Sequence, residues 1–117
     1  MGLVQNFKNI TWQSENVPTP VTENVYVCPL TATSILIGCD ISNVTNSGVT
    51  VTVSLYDASK RQAFNLVTNA PIAVGGSLQV IDKQKHVLEP GDILQVTPDQ
   101  GNSAVDLVGA CMEIYTA

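Results

Sequence analysis

The amino-acid sequence predicts an all-β protein, an antiparallel β-sandwich of seven or eight strands that is Ig-like or jelly-roll-like. Sixteen valines and eleven threonines occur among 117 residues, and branched Cβ atoms suit a pleated sheet better than a helix. Apolar and polar residues alternate with period two in several runs, and turn signals recur about every ten residues without a helical period. A small barrel is the alternative arrangement.

The composition favours one domain and disfavours some partners. A hydrophobic content of 44% in 117 residues is enough for one core, while only 13% of the residues are charged, against about 25% in typical soluble domains. The net charge is −5 with five Lys and Arg residues, so a nucleic-acid partner is not expected, because such binding depends on basic side chains. No apolar run is long enough to cross a bilayer and the start lacks the layout of a secretory signal, so no membrane partner is expected.

Residues 1–22 differ from the rest and are predicted to form an extended N-terminal arm, with the β-sandwich domain in residues 23–117. Polar residues dominate this segment, and Pro18 and Pro20 interrupt any regular element. Its apolar residues are too many for a solvated tail, so the arm either adds an edge strand or lies on a neighbouring molecule. They are the candidate partner-binding residues: Leu3, Val4, Phe7, Ile10 and Trp12.

Two runs in the middle of the chain carry the clearest strand pattern. The first, ILIGCDI, places Ile35, Ile37, Cys39 and Ile41 on one face, with Leu36 on the other. The second, VTVTVSLYD at residues 49–57, alternates strictly. Because a turn signal at residues 45–48 separates them, the two runs are predicted to pair as a hairpin.

Three later signals mark connections or edges. Pro71 lacks an N–H group and predicts a sheet edge or a strand end. Gly75 and Gly76 precede an alternating run and no Gly-Lys-Ser/Thr follows, so a strand connection is expected rather than a phosphate loop. The segment EPGD at residues 89–92 has the composition of a type II turn.

The three cysteines, Cys28, Cys39 and Cys111, cannot all pair within the chain. Each lies in a strand-like run, where a free cysteine acts as a small buried hydrophobe. We therefore expect reduced core thiols, which suit a reducing cytoplasm.

The sequence carries no recognisable catalytic, cofactor or metal-binding set. His86 is the single histidine, and as the one candidate general base it lies beside a turn, where a surface role is expected. Acidic residues fall mostly at strand ends and turns, without a calcium-loop pattern, although four of them could gather at loop ends: Asp57, Asp82, Asp92 and Asp99. We therefore expect a protein that is not an enzyme and has no cofactor. Tyr56 and Trp12 are the candidate platforms if the protein instead binds carbohydrate.

From Ser34 to Tyr115 the order of segments resembles small β-sandwich virion structural proteins of tailed bacteriophages, of the marine and cyanobacterial phage type. The segments are SILIGCDISNVTNSGVTVTVSLYD, NAPIAVGGSLQVID, HVLEPGDILQVT and CMEIYT. The resemblance implies a non-enzymatic virion subunit, assembled in the host cytoplasm, that binds the major capsid protein or other virion proteins. A capsid decoration or cement subunit is expected, as a homo-oligomer such as a trimer. A neck or tail accessory subunit is the alternative within this class, and a carbohydrate-binding adhesion module is the alternative outside it.

Overall fold

A computed structural model describes residues 3–81 and 84–116. Within these ranges the secondary structure consists of strands and connecting turns, with no helix. None of the described segments is therefore a helix long and apolar enough to cross a membrane. The nine described strands are β1 (Leu3–Gln13), β2 (Glu23–Val27), β3 (Ala32–Asn43), β4 (Val49–Asp57), β5 (Gln62–Ile72), β6 (Ser77–Ile81), β7 (His86–Leu88), β8 (Ile93–Pro98) and β9 (Val105–Thr116).

The strands form two antiparallel sheets with jelly-roll connectivity. The first sheet has the order β1-β9-β3-β6, with β7 also paired to β3, and the second has the order β2-β8-β4-β5. The chain is thus a long ribbon that bends at the β4–β5 hairpin and rolls up, so that β1 pairs β9 and β2 pairs β8. The predicted sandwich is confirmed, in its jelly-roll form. The described residues form nine strands rather than seven or eight, because the predicted arm supplies one.

The predicted hairpin between the run ILIGCDI and residues 49–57 is wrong, because β3 lies in the first sheet and β4 in the second. The connection crosses between the sheets around the buried side chain of Asn43. Its Nδ2 donates to the carbonyl oxygens of Ser47 at 2.7 Å and Ile72 at 3.0 Å. Its Oδ1 accepts from Thr45 N at 2.8 Å and Thr45 Oγ1 at 2.7 Å. A turn signal between two alternating runs looks the same whether the two strands pair in one sheet or lie in different sheets, so the sequence pattern does not separate a hairpin from this crossing connection.

A bulge in β3 changes which of its residues face the core. The register with β9 shifts between Leu36 and Gly38, so Leu36 points inward before the bulge, and Cys39 and Ile41 point inward after it. These three side chains are almost fully buried, at 0%, 1% and 0% exposure, whereas Ile35 is only half-buried. The prediction was therefore right for Cys39 and Ile41 and wrong for Ile35, Ile37 and Leu36, because the added residue reverses the alternation.

The core between the sheets is aliphatic and includes the cysteines. Val51, Val53 and Val96 fill its centre and have no exposed surface. All three cysteines are buried free thiols, which confirms the expectation for Cys28, Cys39 and Cys111. Burial raises the pKa of the Cys39 thiol to about 12, because desolvation disfavours the thiolate.

The predicted turn residues have the predicted roles. Gly75 has φ of 72° in the connection from β5 to β6, and Gly76 N donates to Ala73 O at 2.9 Å. Gly91 has φ of 87°, and Asp92 N closes its turn on Glu89 O at 3.0 Å. Pro71 lies in β5, which is an edge strand of the second sheet, as a missing N–H group predicts.

Candidate interaction surface

The segment predicted as an arm forms the edge strand β1 in the described part of the chain. Residues 3–13 pair with β9 in one continuous register from Leu3 opposite Thr116 to Gln13 opposite Asp106. Of the two places that the sequence left open, an edge strand or a neighbouring molecule, the structure shows the first. The boundary at residue 22 between arm and domain stays a prediction.

The five candidate residues of β1 do not form one group, because a strand alternates its side chains between two faces. Ile10 is buried at 5% exposure and Trp12 is half-buried, both packed against the core. Phe7 points away from the core and is 74% exposed, while Val4 is 52% exposed near the strand's start. The side chain of Leu3 lies outside the described part of the structure.

The segment after β1 is fastened to the β8–β9 connection. Ser14 N donates to Val105 O at 3.0 Å, and Asn102 N donates to Val17 O at 2.8 Å. Gly101 lies so close to this segment that an added Cβ atom would be 2.0 Å from Val17 O. Backbone contact of this kind requires glycine, and it holds the C-terminal end of β1 in place.

Phe7 begins a row of apolar side chains that crosses the outer face of the first sheet. Phe7 is opposite Met112, Met112 is opposite Ile35 and Ile35 is opposite Val87, on strands β1, β9, β3 and β7. Phe7 and Val87 at the ends are 74% and 56% exposed, and the two central residues are half-buried. We call these four residues the apolar row.

The middle of the second sheet's outer face has a different character. Polar side chains bond across its strands, with Thr22 and Thr97 hydroxyls 2.7 Å apart and Gln95 Nε2 donating to Asn24 Oδ1 at 3.0 Å. Such groups are satisfied among themselves and by water, so this part of the sheet has no need of a partner. Toward one end of the same face, however, Val27, Ile93 and Tyr56 lie opposite one another across β2, β8 and β4.

A polar cluster lies between the sheets around the buried carboxylate of Glu113. The Tyr26 hydroxyl donates to Glu113 Oε2 at 2.5 Å and lies 2.7 Å from Ser34 Oγ, and the Tyr115 hydroxyl donates to Glu113 Oε1 at 2.9 Å. The bond from Tyr26 holds the pKa of Glu113 below its ordinary value. Burial and the same bond raise the pKa of Tyr26. Because Tyr26 belongs to the second sheet and Glu113 to the first, the cluster links the sheets.

The acidic residues considered as calcium ligands do not assemble. Asp57 and Asp99 lie beside opposite ends of β4, since Asp57 is its last residue and Asp99 Oδ1 accepts from Thr50 N near its start at 2.9 Å. Asp92 is buried and accepts from Ala58 N at 3.0 Å and Glu89 N at 2.9 Å. These carboxylates cap local backbone groups, and Asp82 lies outside the described residues. Across residues 3–81 and 84–116, no three His, Cys, Asp or Glu side chains cluster as metal ligands.

The other residues considered for chemistry or glycan binding lie apart from each other. His86 begins β7, half-buried and opposite Leu36. Trp12 Nε1 donates to Glu23 Oε1 at 3.3 Å, which anchors its ring beside the core. Tyr56 is half-buried on the second sheet, opposite Ile93.

Sequence reasoning found Phe7 but missed the other members of the apolar row. Met112, Ile35 and Val87 come from three separate strands, and only the register between strands aligns them. Glu113 was also missed, although its spacing from Cys111 and Tyr115 places all three on the inward face of β9.

Comparison with known proteins gives similarity of fold. No protein-family model and no curated protein matches this chain. A chain in the structure of infectious bursal disease virus Gx strain matches with a TM-score of 0.57 at 12% identity, over 94% of this chain and 32% of that chain. This protein thus spans about a third of the length of the viral chain. A chain in the acid-stable capsid structure of Helicobacter pylori bacteriophage KHP30 matches with a TM-score of 0.54 at 10% identity, over 99% of this chain and 94% of that chain. At such identities the shared feature is the sandwich fold.

Proposed function

We propose that the protein is a non-enzymatic virion structural subunit, a decoration or cement protein that binds an assembled capsid shell. The observation that carries this proposal is the apolar row on the outer face of the first sheet. The partner is the major capsid protein of the shell, and the apolar row is the contact. The expected location is therefore the virion.

An exposed apolar row of this kind needs a partner more than a scattered apolar residue does. Strands lie about 4.8 Å apart, so a row across four strands is roughly 15–20 Å long. Contiguous apolar surface on a soluble domain marks a contact site more often than chance exposure. Phe7 and Val87, with 74% and 56% of their surfaces exposed, would gain about 25 cal/mol for each Å² of apolar surface that a partner covers.

The fold and the comparisons support the virion class without selecting the subtype. Jelly rolls occur in viral capsid proteins and in lectins, and a fold alone does not define a function. The KHP30 capsid chain is nearly the same length as this protein, since the match covers 99% of one and 94% of the other. A sandwich of this length is thus compatible with a place in a phage capsid.

Low charge suits repeated contact with a shell. Only 13% of the residues are charged, so few ionic groups must lose water when the sheet is covered. The affinity of a single contact through one apolar row is small. When linked copies attach to a repeating capsid lattice at the same time, the overall affinity for the shell is much higher.

Co-sedimentation tests this proposal. The purified protein is mixed with shells assembled from the major capsid protein of the same genome, and bound copies per shell are counted. Val87→Ser is expected to reduce binding at least tenfold. Val74→Ser is the matched control, because Val74 is 57% exposed in the β5–β6 connection and lies outside the row.

The copy number separates the remaining positions in the virion. Saturation at a number that matches the capsid lattice supports decoration. A handful of copies per particle instead supports a neck or tail subunit. No binding, or equal loss in both variants, contradicts contact through the apolar row and favours a test of glycan binding.

A further inference from the structure

The four edges of the two sheets differ in how they are protected against pairing with another strand. Natural proteins shorten, bulge or interrupt edge strands to prevent such pairing. In the second sheet, β2 has five residues and a register shift. Its other edge, β5, has two register shifts, Pro71, and Asn69 at φ of 47°. On the far side of the first sheet, β6 and β7 have five and three residues.

The edge strand β1 is neither short, bulged nor interrupted, and Lys8 is its single charged residue. It has 11 residues, no proline, and one unbroken register with its neighbour β9. Its described side chains from Val4 to Asn9 are exposed, so this half of the strand is open to solvent. A long regular edge presents a row of backbone N–H and C=O groups that a further strand can satisfy.

We propose that β1 pairs antiparallel with β1 of a second copy of this chain, with Phe7 opposite Phe7 of that copy. A two-fold axis then passes between the two phenylalanines, and the two first sheets become one continuous sheet. Residues 3–11 of each strand take part. This inference concerns self-association and does not depend on a role in the virion.

The side chains select this register over its neighbours. With Phe7 at the centre, Val4 lies opposite Ile10, Gln5 opposite Asn9 and Asn6 opposite Lys8, so residues of like character meet in these three pairs, while at the ends Leu3 lies opposite Thr11. Centring on residue 8 would place two lysines opposite each other, which destabilises a strand pair. Centring on residue 6 would place Phe7 opposite Gln5 and Lys8 opposite Val4.

A consequence of the pairing is that two apolar rows join. Each row runs from Val87 through Ile35 and Met112 to Phe7, and the two phenylalanines would meet at the centre of the dimer. Aromatic cross-strand pairs stabilise a sheet. The dimer would thus carry one apolar row of doubled length on a single face.

Thiol cross-linking tests the register. Phe7→Cys places two thiols opposite each other at the dimer axis, and a short bismaleimide is expected to give a covalent dimer in high yield. Thr11→Cys is the matched control on the same face of the same strand. Its two thiols would be about 27 Å apart, since they are offset by eight residues at about 3.4 Å each. The native cysteines have 0–1% exposure and should stay unmodified in the folded protein.

Sedimentation equilibrium tests the association itself. The unmodified protein is expected to form a dimer, and Phe7→Glu is expected to raise its dissociation constant at least tenfold by placing two carboxylates opposite each other. Thr11→Glu should change it less than threefold. Thermal unfolding of each variant, followed by circular dichroism, verifies that the fold is intact.

Three outcomes would overturn the proposal. A wild-type protein that stays monomeric at high micromolar concentration would exclude the dimer. Equal cross-linking of Phe7→Cys and Thr11→Cys would exclude the register. Preferential cross-linking of a Phe7→Cys chain to an Asn9→Cys chain would place the axis at residue 8 instead.

Discussion

Substitution of Tyr26 by phenylalanine removes one oxygen atom from the link between the two sheets. The Tyr26 hydroxyl donates to Glu113 Oε2 at 2.5 Å and lies 2.7 Å from Ser34 Oγ. Glu113 is buried at 3% exposure and Tyr26 at 7%, so water cannot easily replace the lost donor. The aromatic ring stays, and the change therefore isolates the hydrogen bond.

The expected loss of stability follows from the charge of the acceptor. A hydrogen bond to an ionised group contributes about 1.5–3 kcal/mol to stability, more than a bond between neutral groups. We expect Tyr26→Phe to lower the free energy of unfolding by about 2 kcal/mol at neutral pH. For a domain of this size that corresponds to roughly 8 °C in the melting temperature.

The loss should depend on pH in a defined direction. The bond from Tyr26 lowers the pKa of Glu113 in the folded protein, so its contribution is full above the ordinary glutamate pKa and is lost as pH falls through the lowered value. Urea unfolding of both proteins from pH 7 down to pH 3 measures this. The difference between wild type and Tyr26→Phe is expected to shrink as the pH falls.

Tyr115→Phe is the matched control for this experiment. Tyr115 donates to the other oxygen of the same carboxylate at 2.9 Å, but it is only half-buried. Its loss should be less than half that of Tyr26→Phe, because water can reach the site. Equal losses in the two variants, or a Tyr26→Phe difference that does not change with pH, would refute the argument that a buried ionised Glu113 links the sheets.

Three further predictions concern the bulge and the core. Gly109→Ala should destabilise the protein by about 2 kcal/mol in urea unfolding, because the added Cβ atom would be 2.6 Å from Gly38 O. Gly38→Ala is the control at the same bulge, because its Cβ atom would have nothing within 4 Å. Similar losses of stability in the two variants would argue against close backbone contact at Gly109. Leu36→Ala should cost about 2–5 kcal/mol and Ile35→Ala clearly less, and the reverse order would mean that the bulge is misplaced. The three thiols should react with Ellman's reagent only on unfolding, since they are buried and the pKa of Cys39 is raised to about 12. Rapid reaction of the folded protein in buffer would show that the core opens.

Much of the local structure followed from patterns within a few residues of each other. Alternation predicted β4, and glycine and proline predicted the turns at residues 75–76 and 89–92, because allowed backbone angles depend on the residue itself. Val51 and Val53 lie in the core, as the strict alternation of the run at residues 49–57 implies. The bulge in β3 escaped prediction, since an extra residue leaves no mark in composition.

The pairing of strands could not be predicted in this way. The β3–β4 segment had the pattern of a hairpin, yet the two strands lie in different sheets, because the same alternation buries one face in either arrangement. Likewise, Phe7 was a candidate from its apolar character, but its neighbours Met112, Ile35 and Val87 came together only through register. Ile10 and Trp12, proposed alongside it, point to the core instead.

The sequence by itself determined the fold class, the positions of most strands and the free state of the cysteines. These depend on residue type and on near neighbours along the chain. Only the tertiary structure decided that the first strand closes a jelly roll, that the apolar row exists and that β1 is a long, regular edge. Those properties depend on contacts between residues about a hundred positions apart, such as Phe7 and Met112, and their stabilisation appears only when both sheets have formed.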